Sequence, residues 1–528
     1  MEPNQPSPQS SDPAKATVSA GTGSGLLRSS SIVSAMTLLS RVLGLVRDIF
    51  VASYFGARAD AFFVAFKIPN FFRRLFAEGA FSVAFVPVLS EYKVQHKDVK
   101  SLVGAVSGAL LGVLGPFTLV AVAAAPILTW VFAPGFAGNP EKFALTAEML
   151  RITFPYLLLI SLTAFYGSVL NTYGQFAIPA VTPVLLNVCL ILATYYMTPW
   201  FDEPLMALAW GVMLAGVTQL GFQLPFVMKL GLLALPNPKF KDEGVRRILK
   251  LMVPALFGVS VSQINLLLDI LLASFLETGS VSWLYYSDRL AQLPLGVFAI
   301  AIAVVILPNL SQKHAAADKA RFAHTLDWGV RMVLLIGLPA ALALTVLALP
   351  LMSTIFLRGE ITHYDVEKMS LSLMAYGAGL LAFMLIKVLA PGYYARQDTK
   401  TPVKIGIVAM VVNMALNLLL IFPLAHVGLA MATTLSAFLN AGLLFWGLYK
   451  QGHYQTAPGW WMWVGRIVLG NVAMVAALLL VNPDLDLWLT MSEWQRIGWT
   501  GLLVGVGVCV YGSALLLMGI RIRHLKGV

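Results

Sequence analysis

Long apolar runs recur from end to end of this chain of 528 residues. Each run has about 20 residues or more, the length that an α-helix needs to cross a bilayer. Because backbone groups in lipid must find hydrogen-bond partners within the protein, such runs fold as helices. The sequence therefore predicts an all-α polytopic membrane protein with 14 transmembrane helices. Their ranges are about 29–54, 61–90, 101–132, 148–170, 178–199, 205–229, 247–276, 282–310, 325–356, 369–394, 401–423, 427–449, 460–481 and 496–519.

The basic residues predict the orientation of these helices. The net charge is +11, but lysines and arginines collect in alternate loops, as membrane orientation requires, and we expect no nucleic-acid partner. The positive-inside rule places both termini in the cytoplasm. Residues 1–25 are rich in Ser, Pro, Gly and Ala and are expected to form a disordered cytoplasmic tail. The loops on the other side contain few basic residues, chiefly Arg58, Lys142, Arg358 and Arg496.

The chain contains an internal repeat. RDIFVASYF (47–55) aligns with LDILLASFL (268–276), and FVPVLSEY (85–92) aligns without a gap with ILPNLSQK (306–313), both 221 residues further on. Each unit holds six predicted spans, so the units have the same orientation and form two lobes related by a parallel pseudo-twofold axis. The expected organisation is an amino-terminal lobe, a cytoplasmic linker, a carboxy-terminal lobe, and helices 13 and 14 with a short basic tail, at residues 26–232, 233–250, 251–452 and 453–528.

Charged residues lie inside the first two predicted spans. A charge at bilayer depth costs about 3 kcal/mol on insertion scales, so these residues are expected to face a wet space lined by protein. An excess of positive charge there indicates an anionic cargo, and the arginine fork suits phosphate. The second lobe has the balanced set Asp269, Asp288, Arg289 and Lys387, so the first lobe is expected to bind the anion. The charged residues of the first two spans are Arg41, Arg47, Asp48, Asp60, Lys67, Arg73, Arg74 and Glu78.

Spacing places several of these charges on common helix faces. Asp60, Lys67, Arg74 and Glu78 fall on one stripe of the second span, which Pro69 is expected to kink or break. Ser40, Gly44 and Arg47 share one face of the first span.

Structural alternatives stay open for four of the charges. Arg74 and Glu78 are four residues apart, a spacing that allows an ion pair within one helix. The long side chain of Arg73 can extend to the lipid headgroups. Lys67 aligns with Asp288 in the repeat, and the two opposite charges can neutralise each other.

A second candidate site lies in the carboxy-terminal lobe. Asp269 is in mid-span without a neighbouring arginine, while Asn413 and Asn417 share a face of span 11 and Thr433 lies on span 12. Carboxylate, amide and hydroxyl oxygens are ligands for a small hard cation, and a coupling sodium ion or proton is one reading. The other reading is an interhelical hydrogen-bond cluster around a protonated Asp269.

The sequence lacks the motifs of several enzyme classes. It contains no GxxxxGK[ST] phosphate loop, no HExxH, no cysteine cluster and no GxSxG. We therefore expect a transporter without catalytic residues, resident metal or cofactor. A membrane-embedded enzyme or scaffold of cell-wall synthesis is the alternative from another class.

Four segments resemble a known family. SRVLGLVRD, ADAFFVAFKIPNFFRRLFAEGAFSVAFVPVLSEY, GSVSWLYYSDRL and KVLAPGYYARQDTKTPVKI are similar to the MurJ (MviN) lipid II flippases of the multidrug/oligosaccharidyl-lipid/polysaccharide exporter superfamily. The resemblance implies alternating access in a bacterial inner membrane and transfer of lipid II, the undecaprenyl-diphosphate-linked peptidoglycan precursor, to the periplasmic leaflet. A flippase for another lipid-linked oligosaccharide and a drug exporter are the alternatives among transporters.

The resemblance also assigns roles to residues. It implies substrate binding by Arg41, Arg47, Arg73 and Arg289, and gating or cavity roles for Asp60, Lys67, Glu78 and Asp288. It implies a groove for the lipid tail formed by spans 13 and 14. Membrane lipids, and other proteins of cell-wall synthesis, are the remaining expected partners.

Overall fold

The computed structural model describes residues 23–76 and 81–520, and its regular structure there is entirely helical. The two halves of the second predicted span, Asp60–Arg73 and Phe81–Val94, are separate helices, and a π turn at residues 74–76 follows the first. The α-helices, numbered in chain order, are α1 Gly23–Phe55, α2 Asp60–Arg73, α3 Phe81–Val94, α4 Val99–Ala123, α5 Ala125–Phe132, α6 Pro140–Thr153, α7 Tyr156–Thr172, α8 Ala177–Leu192, α9 Met206–Lys229, α10 Glu243–Ala273, α11 Ser280–Pro294, α12 Ile300–Ala315, α13 Lys319–Val346, α14 Ala348–Phe356, α15 His363–Tyr394, α16 Lys400–Lys450, α17 Trp460–Val481, α18 Leu485–Thr490 and α19 Glu493–Leu517.

Within the described ranges, 9 helical segments are long and apolar enough to cross a membrane. One of them, α16, holds two predicted spans joined at Ala425, where φ is 48° and ψ is −128°. A Cβ atom on Gly428 would overlap the carbonyl of Leu420, a residue about 12 Å away in a straight helix, so the chain reverses here. Several other spans are interrupted helices, and the total of fourteen stays a prediction.

The helix breaks recur at the offsets of the sequence repeat. A π turn at residues 74–76 has its counterpart in the π-helical segment Leu295–Ala299, which begins 221 residues later. The break between α4 and α5 falls at Ala124, and the break between α13 and α14 falls at Leu347, 223 residues later. The backbone therefore carries the same repeat as the sequence.

Helix packing follows the two repeat units. In the first unit α1 packs on α8 and α2 packs on α6, whereas in the second α15 packs on α13 and α16. The added helices α17 and α19 pack on each other and attach to the second unit through α13 and α14.

The expected break at Pro69 is wrong, because α2 continues past it to Arg73. Proline cannot donate to the carbonyl four residues earlier, that of Ala65. The hydroxyl of Thr153 in α6 donates to this carbonyl instead, at 3.0 Å. A neighbouring helix thus supplies the missing hydrogen bond, and the interruption comes five residues later, at the π turn that begins at residue 74.

Candidate functional site

A cavity of about 350 Å³ lies between the two repeat units. Its lining includes five basic residues, Arg47, Lys67, Arg73, Arg74 and Arg289, but one acidic residue, Asp288. Polar side chains and aromatic rings, including Asn70, Asn187, Phe63 and Tyr285, make up much of the remaining wall. The described part of this cavity is therefore cationic and partly polar, as an anionic ligand requires.

Asp48 of α1 holds two of the cavity arginines. Its carboxylate accepts hydrogen bonds from Arg47 at 2.6 Å and from Nε of Arg289 in α11 at 3.1 Å. The hydroxyl of Tyr285 accepts from Arg47 at 2.7 Å, and Asn187 in α8 accepts from it at 3.1 Å. Asp48 is 1% exposed, so one buried carboxylate serves two arginines from different halves of the protein.

Two glycines bring arginines from one half close to the backbone of the other. The guanidinium of Arg289 lies where a Cβ on Gly44 of α1 would be placed. The guanidinium of Arg41 lies in the same way over Gly296, in the π-helical segment after α11. Arg41 is therefore at the contact between the halves, and it is not among the residues that line the cavity.

The basic residues of α2 are oriented by polar neighbours. Nε of Arg73 donates to Asn70 at 2.9 Å, and Arg74 reaches Gln263 of α10 at 3.5 Å. Lys67 lies 5.9 Å from the ring centroid of Tyr285. It lines both this cavity and a smaller one of about 120 Å³ that contains Asp269 and Asp288.

Asp60 lies at one end of the cavity and joins the two halves. Its carboxylate accepts from the backbone and hydroxyl of Ser282, at 2.8 and 2.6 Å, and from the backbone of Gly279 at 2.7 Å. It thereby caps the N-terminus of α11, where the helix dipole favours negative charge. Lys142, from the first half, also contacts it at 2.9 Å.

Backbone contacts also close this end of the molecule. The amide of Glu360 donates to the carbonyl of Ser53 at 2.8 Å, and the amide of Gly135 donates to the hydroxyl of Ser274 at 3.0 Å. Each contact links the first repeat unit to the second.

The expected gating contacts differ in detail from the structure. Arg289 forms an ion pair with Asp48 across the two halves. Asp60 accepts hydrogen bonds from backbone amides of the second half, but its ion-pair partner, Lys142, belongs to the first half, as Asp60 does. The carboxylate of Asp288 accepts from Gln292 at 2.6 Å, and no ion pair joins it to Lys67 among the described residues. Glu78, with its proposed pairing to Arg74, lies outside the described ranges.

The four residues of the candidate cation site are brought together. Asn417 donates to Asp269 at 2.9 Å and to the carbonyl oxygen of Asn413 at 3.1 Å. Asn413 in turn is 3.5 Å from the hydroxyl of Thr433 and 3.3 Å from that of Ser436. The side-chain oxygen of Asn417 is buried without a hydrogen-bond partner. The arrangement is a hydrogen-bonded cluster with one oxygen left over.

A separate apolar groove of about 550 Å³ lies between α13 and α17. Leu338 and Leu342 form one side, and Val468, Val472 and Leu479 form the other. It shares no lining residue with the polar cavity, and its apolar walls are suited to a hydrocarbon chain.

Sequence reasoning missed the partners that hold these charges. Two of them could have been found from the sequence. Tyr285 lies within the segment GSVSWLYYSDRL that resembles the family, and Asn187 is a polar residue inside an apolar run. Lys142 carried no signal beyond its charge, because its contact with Asp60 spans 82 positions.

Comparison with known proteins gives a consistent result. The family model described as "Lipid II flippase MurJ" matches residues 51–497. The chain is 52% identical over 512 residues to a probable lipid II flippase MurJ of Vibrio cholerae, covering 95% of this chain and 98% of that one. It is 41% identical over 514 residues to the lipid II flippase MurJ of Burkholderia cenocepacia, covering 95% and 99%.

Solved structures agree with the sequence comparison. A lipid II flippase MurJ in an inward closed conformation superposes with a TM-score of 0.77 at 26% identity, covering 93% of this chain and 99% of that one. An inward-facing multidrug resistance MATE family transporter shares the fold, with a TM-score of 0.65 at 13% identity, covering 78% of this chain and 94% of that one.

Proposed function

Because the chain belongs to the lipid II flippase MurJ family, we propose that it carries the headgroup of lipid II through its cationic cavity. Transfer runs from the cytoplasmic to the periplasmic leaflet of a bacterial inner membrane. Both termini are cytoplasmic in this proposal, as the distribution of basic residues requires. The polyprenyl tail remains in the hydrocarbon phase, and no covalent bond is made or broken.

The charge of the cavity is the observation that carries the proposal. Five basic side chains face one acidic side chain in its lining. Among the described contacts, Arg289 donates to Asp48 through Nε alone. Arg47 keeps one N–H group beyond those that it donates to Asp48, Asn187 and Tyr285. These remaining N–H groups are available to a diphosphate. Arg41 and Arg73 complete the proposed substrate-binding set. A cationic drug would meet repulsion here, which disfavours the drug-exporter alternative.

The size of the cavity requires a conformational change during transport. About 350 Å³ is the size of a small drug site, and a disaccharide-peptide headgroup is larger than that. The halves must therefore separate at one end to admit the headgroup. In this proposal the contacts of Asp60 close the periplasmic end, while Lys67, Asp288 and Arg289 change partners as the cavity opens. A few kcal/mol of bias between the states is sufficient for such a switch.

Two further parts of the proposal concern the tail and the energy source. The groove between α13 and α17 is assigned to the polyprenyl tail. The cluster of Asp269, Asn413, Asn417 and Thr433 is assigned to a coupling sodium ion or proton, with the unpaired oxygen of Asn417 as support. The competing assignment is a purely structural hydrogen-bond cluster.

Leaflet-resolved labelling of lipid II tests the proposal. In cells depleted of this protein, lipid II is expected to accumulate in the cytoplasmic leaflet, and re-expression is expected to restore its periplasmic exposure. Unchanged exposure with accumulation of another lipid-linked oligosaccharide would favour a different cargo. Unchanged distribution of all such lipids would favour an enzyme or scaffold.

A further inference from the structure

Four basic residues lie on the side of the protein that is otherwise poor in basic residues: Arg58, Lys142, Arg358 and Arg496. Two of them form ion pairs. Arg58 pairs with Glu203 at 3.2 Å, and Lys142 pairs with Asp60 at 2.9 Å. For the other two, Arg358 and Arg496, no ion pair occurs within the part of the chain that the structure describes. Glu493, one turn before Arg496, is exposed and interacts with it only through space, without an ion-pair contact.

Arg358 and Arg496 meet at the end of α14. Nη2 of Arg496, in the first turn of α19, donates to the carbonyl of Leu357 at 2.8 Å. Nη2 of Arg358 donates to the carbonyl of Thr354 at 2.9 Å. The hydroxyl of Thr354 is 3.3 Å from the carbonyl of Arg496 and 2.6 Å from the hydroxyl of Thr500. Two like charges and two hydroxyl groups thus share one small region.

Capping α14 does not account for both arginines. Each cap uses one of the five N–H donors of a guanidinium. Arg496 is 5% exposed, and the Nε atoms of both arginines are buried without a hydrogen-bond partner. Buried donors without acceptors are unfavourable, and the proximity of Arg358 to Arg496 adds repulsion that the exposed Glu493 offsets only through solvent. The pair has the composition of an anion-binding site.

The position of the pair indicates where that anion resides. Trp494, two residues before Arg496, is 82% exposed, and the apolar helix α19 continues beyond it. Tryptophans at such helix ends mark the headgroup level of a bilayer. An acceptor at this level is the phosphate of a lipid, which guanidinium groups bind through paired N–H donors.

We propose that Arg358 and Arg496 bind the phosphate group of a lipid in the leaflet at the Asp60 end of the protein, the periplasmic leaflet in the orientation proposed above. The hydroxyl of Thr500 lies beside the pair, where it is hydrogen-bonded to Thr354 and to the carbonyl of Pro350. Two lipids supply this chemistry: an anionic phospholipid of the bilayer, and the polyprenyl diphosphate cargo after its transfer. The second source rests on the proposed function, whereas the first does not.

Lipid binding to the purified full-length protein in detergent tests the site. We would titrate phosphatidylglycerol, and separately a polyprenyl diphosphate, and count bound lipids by native mass spectrometry. R358Q, R496Q and the double variant are compared with R58Q, which removes an exposed arginine at the same end of the protein. Loss of charged hydrogen bonds predicts about tenfold weaker binding for the double variant, with R58Q unchanged.

The outcomes separate the two sources and the structural role. Weaker binding of phosphatidylglycerol identifies a bilayer phospholipid, and weaker binding of the polyprenyl diphosphate alone identifies the cargo. Equal binding by all variants overturns the proposal and leaves the arginines as caps of α14. R496K keeps the charge but loses donors, and intermediate binding is expected. If the glutamine variants do not fold, unchanged lipid binding by R496K overturns the site.

Discussion

The guanidinium of Arg289 in α11 lies against Gly44 in α1, at the place that a side chain on residue 44 would occupy. The same relationship holds in the other direction, since Arg41 of α1 lies against Gly296 after α11. In each half of the protein, therefore, an arginine packs against a glycine of the other half. These glycines allow two cations to approach a shared interface closely, with Asp48 as the buried counterion for Arg289.

Replacing Gly44 with alanine is expected to impair transport without removing the protein from the membrane. The new methyl group displaces the guanidinium of Arg289, which then loses its contact with Asp48 at 3.1 Å. Loss of such a charged hydrogen bond predicts about a tenfold lower rate of lipid II exposure. G115A is the control, because no heavy atom lies within 4 Å of a Cβ placed there. Normal transport by G44A would contradict a requirement for this contact.

Arg47→Ala is expected to abolish growth support, and Arg47→Lys is expected to restore little of it. One guanidinium contacts Asp48, Asn187 and Tyr285 together, whereas an ammonium lacks the planar fork that spans these partners and a diphosphate. Arg41→Ala is expected to have the same effect. Growth complementation, with the amount of protein in the membrane as control, measures both. Full complementation by both alanine variants would remove these arginines from the substrate site.

The sequence predicted the charges of the cavity but not the contacts that hold them. Arg47 and Lys67 were identified because a charge inside an apolar run needs a special environment, whereas Arg289 was assigned to the cavity by the family resemblance. The sharing of Asp48 between two arginines depends on how α1 and α11 approach each other, which no local pattern encodes. The continuation of α2 past Pro69 likewise depends on a hydroxyl from α6.

The repeat was visible in the sequence because its register is kept over separate segments. The helix breaks follow the same register, since a break depends on residues close in the chain. The number of spans stays a prediction, because interrupted helices such as α2 and α3 do not each reach the length of a full crossing.

Asp60→Asn is expected to loosen the contact between the halves at its end of the molecule. The carboxylate accepts four hydrogen bonds, from Ser282 twice, Gly279 and Lys142. An asparagine presents its own N–H₂ to some of these donors and leaves Lys142 without a counterion. Lys142→Gln removes one contact and is expected to have a smaller effect.

Disulfide formation between cysteines at positions 53 and 360 measures this loosening, because the backbones of Ser53 and Glu360 are hydrogen-bonded at 2.8 Å. The two native cysteines, Cys189 and Cys509, are first replaced by serine. We expect rapid crosslinking with Asp60 present and slower crosslinking in Asp60→Asn. Identical rates in both backgrounds would show that Asp60 does not hold this end closed.

Filling the groove between α13 and α17 is expected to discriminate between cargo lipids by tail length. Val472 lines this groove and is 59% exposed, so a tryptophan there occupies the groove without disturbing the core. Val472→Trp should slow transport of long-chain lipid II more than that of a short-chain analogue. Leu516→Trp, at a residue of α19 that is 63% exposed, is the matched control. Equal slowing for both lipids would assign the groove a structural role.

Asp269→Asn separates a coupling cation from a structural cluster. Asparagine keeps the size of the side chain and resembles a protonated aspartate, but it cannot neutralise a bound cation. If the cluster with Asn413, Asn417 and Thr433 binds sodium or carries a proton, the variant should bind lipid II normally while its transport no longer responds to either gradient. The experiment is lipid II transport in vesicles, with sodium and pH gradients imposed separately on the wild type and the variant. A response in the variant equal to that of the wild type would make Asp269 a structural residue and place coupling elsewhere. The unpaired oxygen of Asn417 favours the first outcome, because a bound cation would give this buried atom the partner that the hydrogen-bonded cluster does not.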